Sequence, residues 1–445
     1  MNFHLDKQTN ADLEVFQTSE GKSLYDFFNQ CKTYGGKQEL TKIMSTLSTD
    51  IDFLNERIET IRYFHSNPDI ISSLIIDKNT LDFIEHYLNY GNYPTRKTSK
   101  IRAIENALIY KIKPNNDYYI VERGIEYTIE LLNILYRFFT QDYDFSTVKY
   151  LNTTREEIIS IFTQSEFKPI LEIKKSRKLK AIEIATFDYV FRYTHKSNIR
   201  FCIDLVYYLD ALFAVCKVAN KHHFCFPDLL SSDKRVFKAN NLFHPLLENA
   251  VSNDVNMDKK MNFMFITGPN MSGKSTFLKS LGIAAYLAHI GFPVPAKTFS
   301  ISMLSGIYTT INLKDSLHAN YSHFYAEVKR IKEIAQKLTK DDNMLIIFDE
   351  LFRGTNVKDA FDGSLAIISA FAETNNSFYV VSTHILEVAE KLNNKNIRFM
   401  HLETRNDNEI PVYTYKLKTG ISNERLGMYI INKEKIIEII NNIGL

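Results

Sequence analysis

Four cysteines in 445 residues, none at a C-x-x-C spacing, supply neither a disulfide framework nor a paired thiolate metal knuckle. Their scarcity and scatter (Cys31, Cys202, Cys216, Cys225) predict a reducing compartment. His222, His223 and Cys225 lie close together, but no second ligand pair follows them, and they are read as a helix end. No apolar run approaches the roughly 20 residues needed to cross a bilayer, and the polar N-terminus has no signal core. The expectation is a soluble, cytoplasmic chain without membrane contact. Charge of one sign is also missing: the formal net charge of +2 neither demands nor excludes a polyanionic partner. There is no fixed-period repeat and no low-complexity stretch. From about residue 20 to 225 proline is confined to Pro68, Pro94, Pro114 and Pro169, positions that read as helix breaks.

A hydrophobic content of 45%, with 32 phenylalanines, allows sizeable cores, and the length predicts two or three domains. Between residues 20 and 225 the apolar residues step by three and four. Ile125, Ile129, Leu132, Tyr136 and Phe139 form one such stripe, and Phe201, Leu205, Tyr208, Leu212, Val215 and Ala219 another. Two basic clusters interrupt this half: Arg96, Lys97, Lys100 and Arg102, then Lys168, Lys174, Lys175, Arg177, Lys178 and Lys180. Such runs form a solvated face or contact phosphates of a nucleic acid without reading its sequence.

Near residue 235 the texture changes. Asn241-Leu-Phe-His244-Pro245-Leu introduces alternating strands and helices, the pattern of a parallel sheet. Phe263 to Ile266 is an apolar run of the kind found in a buried strand. Gly268-Pro269-Asn270-Met271-Ser272-Gly273-Lys274-Ser275-Thr276 follows and fits G-x-x-x-x-G-K-[ST], and a helical apolar pattern begins at Phe277. The glycines let successive N–H groups turn inward on an anion, and the helix start adds its own free donors. Lys274 can reach β- and γ-phosphates, while Ser275 can ligate magnesium. A second apolar run, Met344 to Phe348, ends in Asp349-Glu350. There Asp349 would hold the magnesium shell and Glu350 would orient or deprotonate a water. A third run, Phe378 to Val381, precedes His384, a candidate sensor of the γ-phosphate. Binding of a nucleoside triphosphate with magnesium is therefore expected, and the second carboxylate favours hydrolysis over transfer to a small acceptor.

Ile266-Thr-Gly-Pro-Asn-Met-Ser-Gly-Lys-Ser-Thr, Asp349-Glu-Leu-Phe-Arg353-Gly354-Thr355-Asn and Ser382-Thr-His384 together resemble the ATPase domain of the MutS family of DNA mismatch-repair proteins. Asp315 to Val328 is similar to that family's signature loop, which reaches the partner subunit's nucleotide. Tyr415 to Gly427 resembles the segment before its C-terminal dimerisation helices. Ser23 to Phe64, with Thr33, Gly35-Gly36 and Arg57, resembles the start of its helical core. The resemblance implies an all-helical N-terminal core (lever) domain over 1–235. An α/β P-loop ATPase domain with a mainly parallel sheet follows over 236–445, ending in the dimerisation segment. It also implies ATP and Mg2+ as cofactors, a homodimer, double-stranded DNA and repair proteins as partners, and Ser322 as the hydroxyl offered to the neighbouring site. Lys174, Lys175, Arg177, Lys178 and Lys180 are the candidate DNA contacts.

Departures from the family accompany the likeness. About twenty residues precede the core, so the mismatch-reading and connector domains are expected to be missing. The stretch from 70 to 235 is short for a full DNA clamp. Ala319-Asn320 stand where the family usually has Ser-Gly, and Ala250 where an aromatic commonly stacks on adenine. Three readings follow: a DNA-associated dimeric ATPase, a nucleotide-switched protein-binding scaffold, and a phosphate-loop kinase, the last disfavoured by Asp349-Glu350 followed by His384.

Overall fold

The computed structural model describes residues 3–18, 21–74, 77–91, 99–112, 116–141, 143–173, 177–311, 323–352, 355–392, 394–407, 410–422 and 435–441. It is a mixed helix-and-sheet structure with two compact units. One unit comprises Met1–Phe27, Thr46–Asn55 and Lys221–Leu445, and the other Phe28–Ser45 and Glu56–Asn220.

The second unit is built from helices, among them Tyr34–Ser45, Lys78–Leu88, Lys100–Ile112, Asn116–Thr140, Lys149–Thr163 and Ala181–Tyr189. Along Asn116–Thr140 the stripe Ile125, Ile129, Leu132 and Phe139 is buried, as its spacing predicts. Pro68 opens the short helix Pro68–Ser73, where its missing N–H has no partner to lose, and Pro169 sits in the 3-10 turn Lys168–Glu172. Pro94 and Pro114 lie outside the described residues.

The first unit holds both sheets. Its strands are β1 (His4–Leu5), β2 (Asp228–Leu230), β3 (Val236–Leu242), β4 (Asn253–Asp258), β5 (Phe263–Thr267), β6 (Thr298–Ser302), β7 (Gly306–Thr310), β8 (Met344–Asp349), β9 (Phe378–Ser382), β10 (Ile397–Asp407) and β11 (Ile410–Thr419). The larger sheet has the order β1-β7-β8-β9-β5-β10-β11 and is parallel except for the β10–β11 hairpin. The smaller sheet runs β2-β6-β3-β4. The apolar segment from Ile301 to Ile311 divides between them, since β6 joins the small sheet and β7 the large one.

The residues of β5, β8 and β9 are buried throughout, which explains why these strands read as continuous apolar runs rather than alternating ones. Phe263, Phe265, Ile346, Phe348, Tyr379 and Val381 form one core with Ile331, Ile334, Ile368 and Phe371 of the helices His323–Leu338 and Val357–Ala372. The helix Lys274–His289 is buried along most of its length and packs against β7, β8 and β9.

The opening residues, grouped with the helical half by sequence alone, add a strand to the large sheet. His4 pairs with Gly306 and Leu5 with Ile307. A Cβ on Gly306 would stand 2.8 Å from the His4 carbonyl oxygen, so the close approach of the two strands requires glycine there. Two paired residues are too few to show a strand period in a sequence, so this edge strand left no pattern to read.

Candidate functional site

Three parallel strands end side by side. Ile266 of β5 and Asp349 of β8 both pair with Ser382 of β9, so the residues that follow each strand emerge at one level. This is the carboxyl edge of an open parallel sheet, where such folds bind ligands. The phosphate loop follows β5, Glu350 follows β8 and His384 follows β9.

Gly268 turns the chain out of β5 at φ 151°, and Gly273 closes the loop at φ 94° before the helix beginning at Lys274. Met271 also takes a left-handed φ of 68° and is exposed at the loop tip with Asn270. Lys274 is 5% exposed. Its ammonium donates to the carbonyls of Gly268 at 2.9 Å and Pro269 at 3.1 Å, and lies 3.4 Å from a Glu350 carboxylate oxygen. Ser275 Oγ donates to Asp349 Oδ2 at 2.5 Å, and Ser382 Oγ donates to the other Asp349 oxygen. Glu350 has φ 51°, and its N–H donates to the Ser382 carbonyl at 2.9 Å, which ends the strand and frees the side chain from the sheet. Its second oxygen lies 3.5 Å from Nδ1 of the exposed His384. Ser272 Oγ is buried and has no hydrogen-bond partner among the described residues.

Beside these groups opens a cavity of about 850 Å³. Asn270, Met271, Gly273, Lys274, Ser275 and Thr276 line it, with Glu350 and His384. Leu247, Ala250, Val251, His244 and Tyr415 line it too. The imidazole of His244 is driven down to about 4, first by burial and then by Lys279, so it is neutral at physiological pH. Tyr415 has a left-handed φ of 57°, and its ring comes within 3.0 Å of where a Gly273 side chain would begin. Asn253 fixes that residue by donating to the Tyr415 carbonyl at 3.0 Å and accepting from Leu417 N–H at 2.7 Å. Chemically, the cavity wall combines a cation and a carboxylate, Lys274 and Glu350, with apolar side chains and the rings of Phe277 and Tyr415.

The MutS domain V family model matches residues 264–442. A DNA mismatch repair protein MutS of Petrotoga mobilis is 23% identical over an alignment covering 96% of this chain and 62% of its own length. Another, from Listeria welshimeri, is 30% identical over 50% of this chain and 26% of its own length. Human MutS protein homolog 4 is 33% identical over 41% of this chain and 20% of its own length. The chain belongs to the MutS family. It spans less than two thirds of each of these relatives.

In this MutS-family chain the residues from Gly268 to Thr276 form one loop and helix start, with Asp349, Glu350 and His384 around it. Ser322 and Ala319-Asn320 lie outside the described residues, as do Arg353-Gly354, Lys174, Lys175, Arg96 and Lys97. Arg177 pairs with Glu183 at 2.6 Å, and the Lys180 N–H donates to Glu183 at 2.7 Å, capping the helix Ala181–Tyr189. Lys178 is exposed, and Lys100 and Arg102 are exposed on Lys100–Ile112, a helix that packs against Ala181–Tyr189. His222 ends its helix with its ring tilted against Phe27 and Phe224, and His223 leaves it with φ 54°. Among the described residues no three His, Cys, Asp or Glu side chains cluster as a metal site, and no helix is long and apolar enough to cross a membrane.

Sequence reasoning missed Tyr415 and His244 as cavity residues. Tyr415 lies on a distant strand and is aimed by a backbone irregularity that leaves no compositional mark. His244 stood in a segment read only as the entry to the sheet unit.

Proposed function

We propose that this MutS-family chain binds Mg-ATP in the cavity beside the phosphate loop and hydrolyses it as a dimeric, DNA-associated ATPase. The observation that carries the reading is the convergence of Lys274, Ser275, Asp349 and Glu350 at the carboxyl ends of β5 and β8, the two parallel strands that flank β9. The backbone donors from Gly268 to Thr276 and the helix start receive the phosphates. Lys274 exchanges its two loop carbonyls for β- and γ-phosphate oxygens, and its charge offsets theirs. The Ser275 hydroxyl and Asp349 carboxylate, already 2.5 Å apart, are hard oxygen donors that fit magnesium. Bound there, the ion neutralises charge on the phosphates. Glu350, held between Lys274 and His384, accepts a proton from the attacking water and orients it. His384, exposed at the cavity mouth, donates to the γ-phosphate. The base packs between the Tyr415 ring and the Leu247–Val251 wall, so Tyr415 supplies the aromatic surface that Ala250 lacks.

Two copies pair through their ATPase units, with Ser322 completing the neighbour's site. The exposed Ile436, Ile437, Ile439 and Ile440 near the C-terminus support an apolar contact there. Association with DNA is supported by the mismatch-repair names of the relatives and by described basic residues, Lys100 and Arg102 on one helix and Lys178 and Lys180 just before the helix that packs against it. Four free cysteines agree with a reducing, cytoplasmic setting. The scaffold reading keeps one observation of its own, the neutralisation of Arg177 by Glu183.

Equilibrium titration with a fluorescent ATP analogue tests the site. Lys274→Ala is expected to lose tight binding in a folded protein. Glu350→Gln should bind Mg-ATP and turn it over slower by roughly two to three orders of magnitude. Unchanged affinity in Lys274→Ala, or wild-type turnover in Glu350→Gln, would sink the assignment. Light scattering of Glu350→Gln with and without ATP tests pairing, and a monomer under both conditions counts against it.

A further inference from the structure

The first residues of the chain enter the sheet unit through a buried polar network that the chemistry above leaves unused. Asp6 caps the helix Lys7–Asp12 by accepting from Thr9 N–H at 2.8 Å. Thr9 and Asp12 are almost fully buried. The Thr309 N–H donates to Thr9 Oγ1 at 3.0 Å. The Thr309 hydroxyl at 2.6 Å and the Ile311 N–H at 3.0 Å both donate to Asp12 Oδ2, while Gln8 donates to Oδ1 at 2.8 Å. Arg330, on the helix His323–Leu338, pairs with Asp6, donates to the Thr309 carbonyl at 2.9 Å and lies over the Tyr308 ring. A buried carboxylate is costly unless its lone pairs are met, and a satisfied network holds its members in one geometry.

The same segment also reaches the phosphate-loop helix. Glu14 pairs with Lys279 at 2.8 Å, one turn beyond Ser275. Leu13 packs so closely on that helix that a side chain at Gly282 would begin 2.5 Å from it. On the sheet side, Thr310 pairs with Phe348, so Ile311, held by Asp12, is level with Asp349 on the next strand. Residues 6–14 therefore join the helix that carries Ser275 to the strand beside Asp349.

We propose that this segment is a clamp fixing the separation of Ser275 and Asp349, with Thr9 and Asp12 as positioning residues for ATP hydrolysis. The role in turnover rests on the hydrolytic reading above; the contacts do not. Small displacements at a reacting site, of order 1 Å, cost up to about 100-fold in rate.

The test compares Thr9→Val, which keeps the shape but removes the acceptor for Thr309 N–H, with Thr9→Ser, which retains it. In the full chain, Thr9→Val should bind the fluorescent ATP analogue within about twofold of wild type while single-turnover hydrolysis slows about tenfold to 100-fold. Thr9→Ser should restore the rate. Hydrogen exchange at 306–311 should quicken in Thr9→Val and return to wild type in Thr9→Ser. If Thr9→Val does not fold, Asp12→Asn takes its place with the same expectations. A wild-type rate in the variant, a loss that Thr9→Ser does not repair, or unchanged exchange at 306–311 overturns the clamp. Absence of turnover in the wild type instead overturns the hydrolytic reading, and with it the clamp's part in turnover.

Discussion

In the helical unit, buried Asp188 and Arg192 answer each other. Arg192 donates twice to Asp188 at 2.7 Å and once to the Tyr90 carbonyl at 2.8 Å, and the Tyr87 hydroxyl also donates to Asp188. In the sheet unit Lys274, Asp349 and Glu350 are buried to a similar degree, yet the ammonium stands 3.4 Å from its carboxylate and leans on neutral carbonyls. Lys274 and Glu350 border a cavity, and Ser272 Oγ beside them is buried without a partner among the described residues. A closed network holds elements together. Buried charge that borders a cavity in looser geometry can exchange its present partners for those of an incoming group.

Breaking the closed network gives the largest effect on stability. Arg192→Met strands the Asp188 carboxylate and should cost about 3–5 kcal/mol, seen as an earlier urea transition by circular dichroism. ATP affinity measured without denaturant should not change. A parallel fall in affinity would erase the distinction between the two networks.

Acid sharpens the comparison next. His244 and His289, both driven down to about 4 by burial, belong to the sheet unit. Their folded values lie below the ordinary histidine value, so the unfolded chain takes up the proton first. The stability each supplies is complete above about pH 6.5 and is lost as pH falls toward 4, by up to about 3 kcal/mol per residue. His289 donates through Nδ1 to the Ala285 carbonyl and accepts from Leu304 N–H through Nε2, so protonation removes an acceptor. Urea transitions between pH 7 and 4, with hydrogen exchange assigning them to units, should find the sheet unit weakening first. His289→Gln should flatten that dependence, and an unaltered pH profile would refute the assignment.

Asp349→Asn should weaken the magnesium dependence of ATP binding by roughly 10–100-fold and leave the urea transition of the helical unit in place. A magnesium titration of nucleotide affinity reads this directly, and an unchanged midpoint would remove Asp349 from the metal shell.

The smallest effect is expected from the second basic cluster of the sequence. Changing Lys175, Arg177 and Lys178 to Glu should lower duplex DNA affinity and flatten its salt dependence by roughly one unit per lost contact. ATP turnover without DNA should survive. Identical salt curves would return the cluster to a solvated helix end, as the Arg177–Glu183 pair suggests, and favour the scaffold reading.

Local features determined much of this protein from its sequence. A central parallel strand is apolar at every position because both faces are covered, so β5, β8 and β9 were legible as runs, and the glycines at 268 and 273 marked a loop with left-handed turns. Helices announced themselves by period. Tertiary structure alone decided what lies opposite what. Strand order brought Lys274, Glu350 and His384 to one edge, although more than a hundred residues separate the first from the last. It also aimed Tyr415 across the loop, divided Ile301 to Ile311 between two sheets, and sent the N-terminus back to Thr309 and Lys279. Hydrogen-bond partners and cavity walls depend on contacts between segments remote along the chain, and no local period or composition records which remote segments will meet.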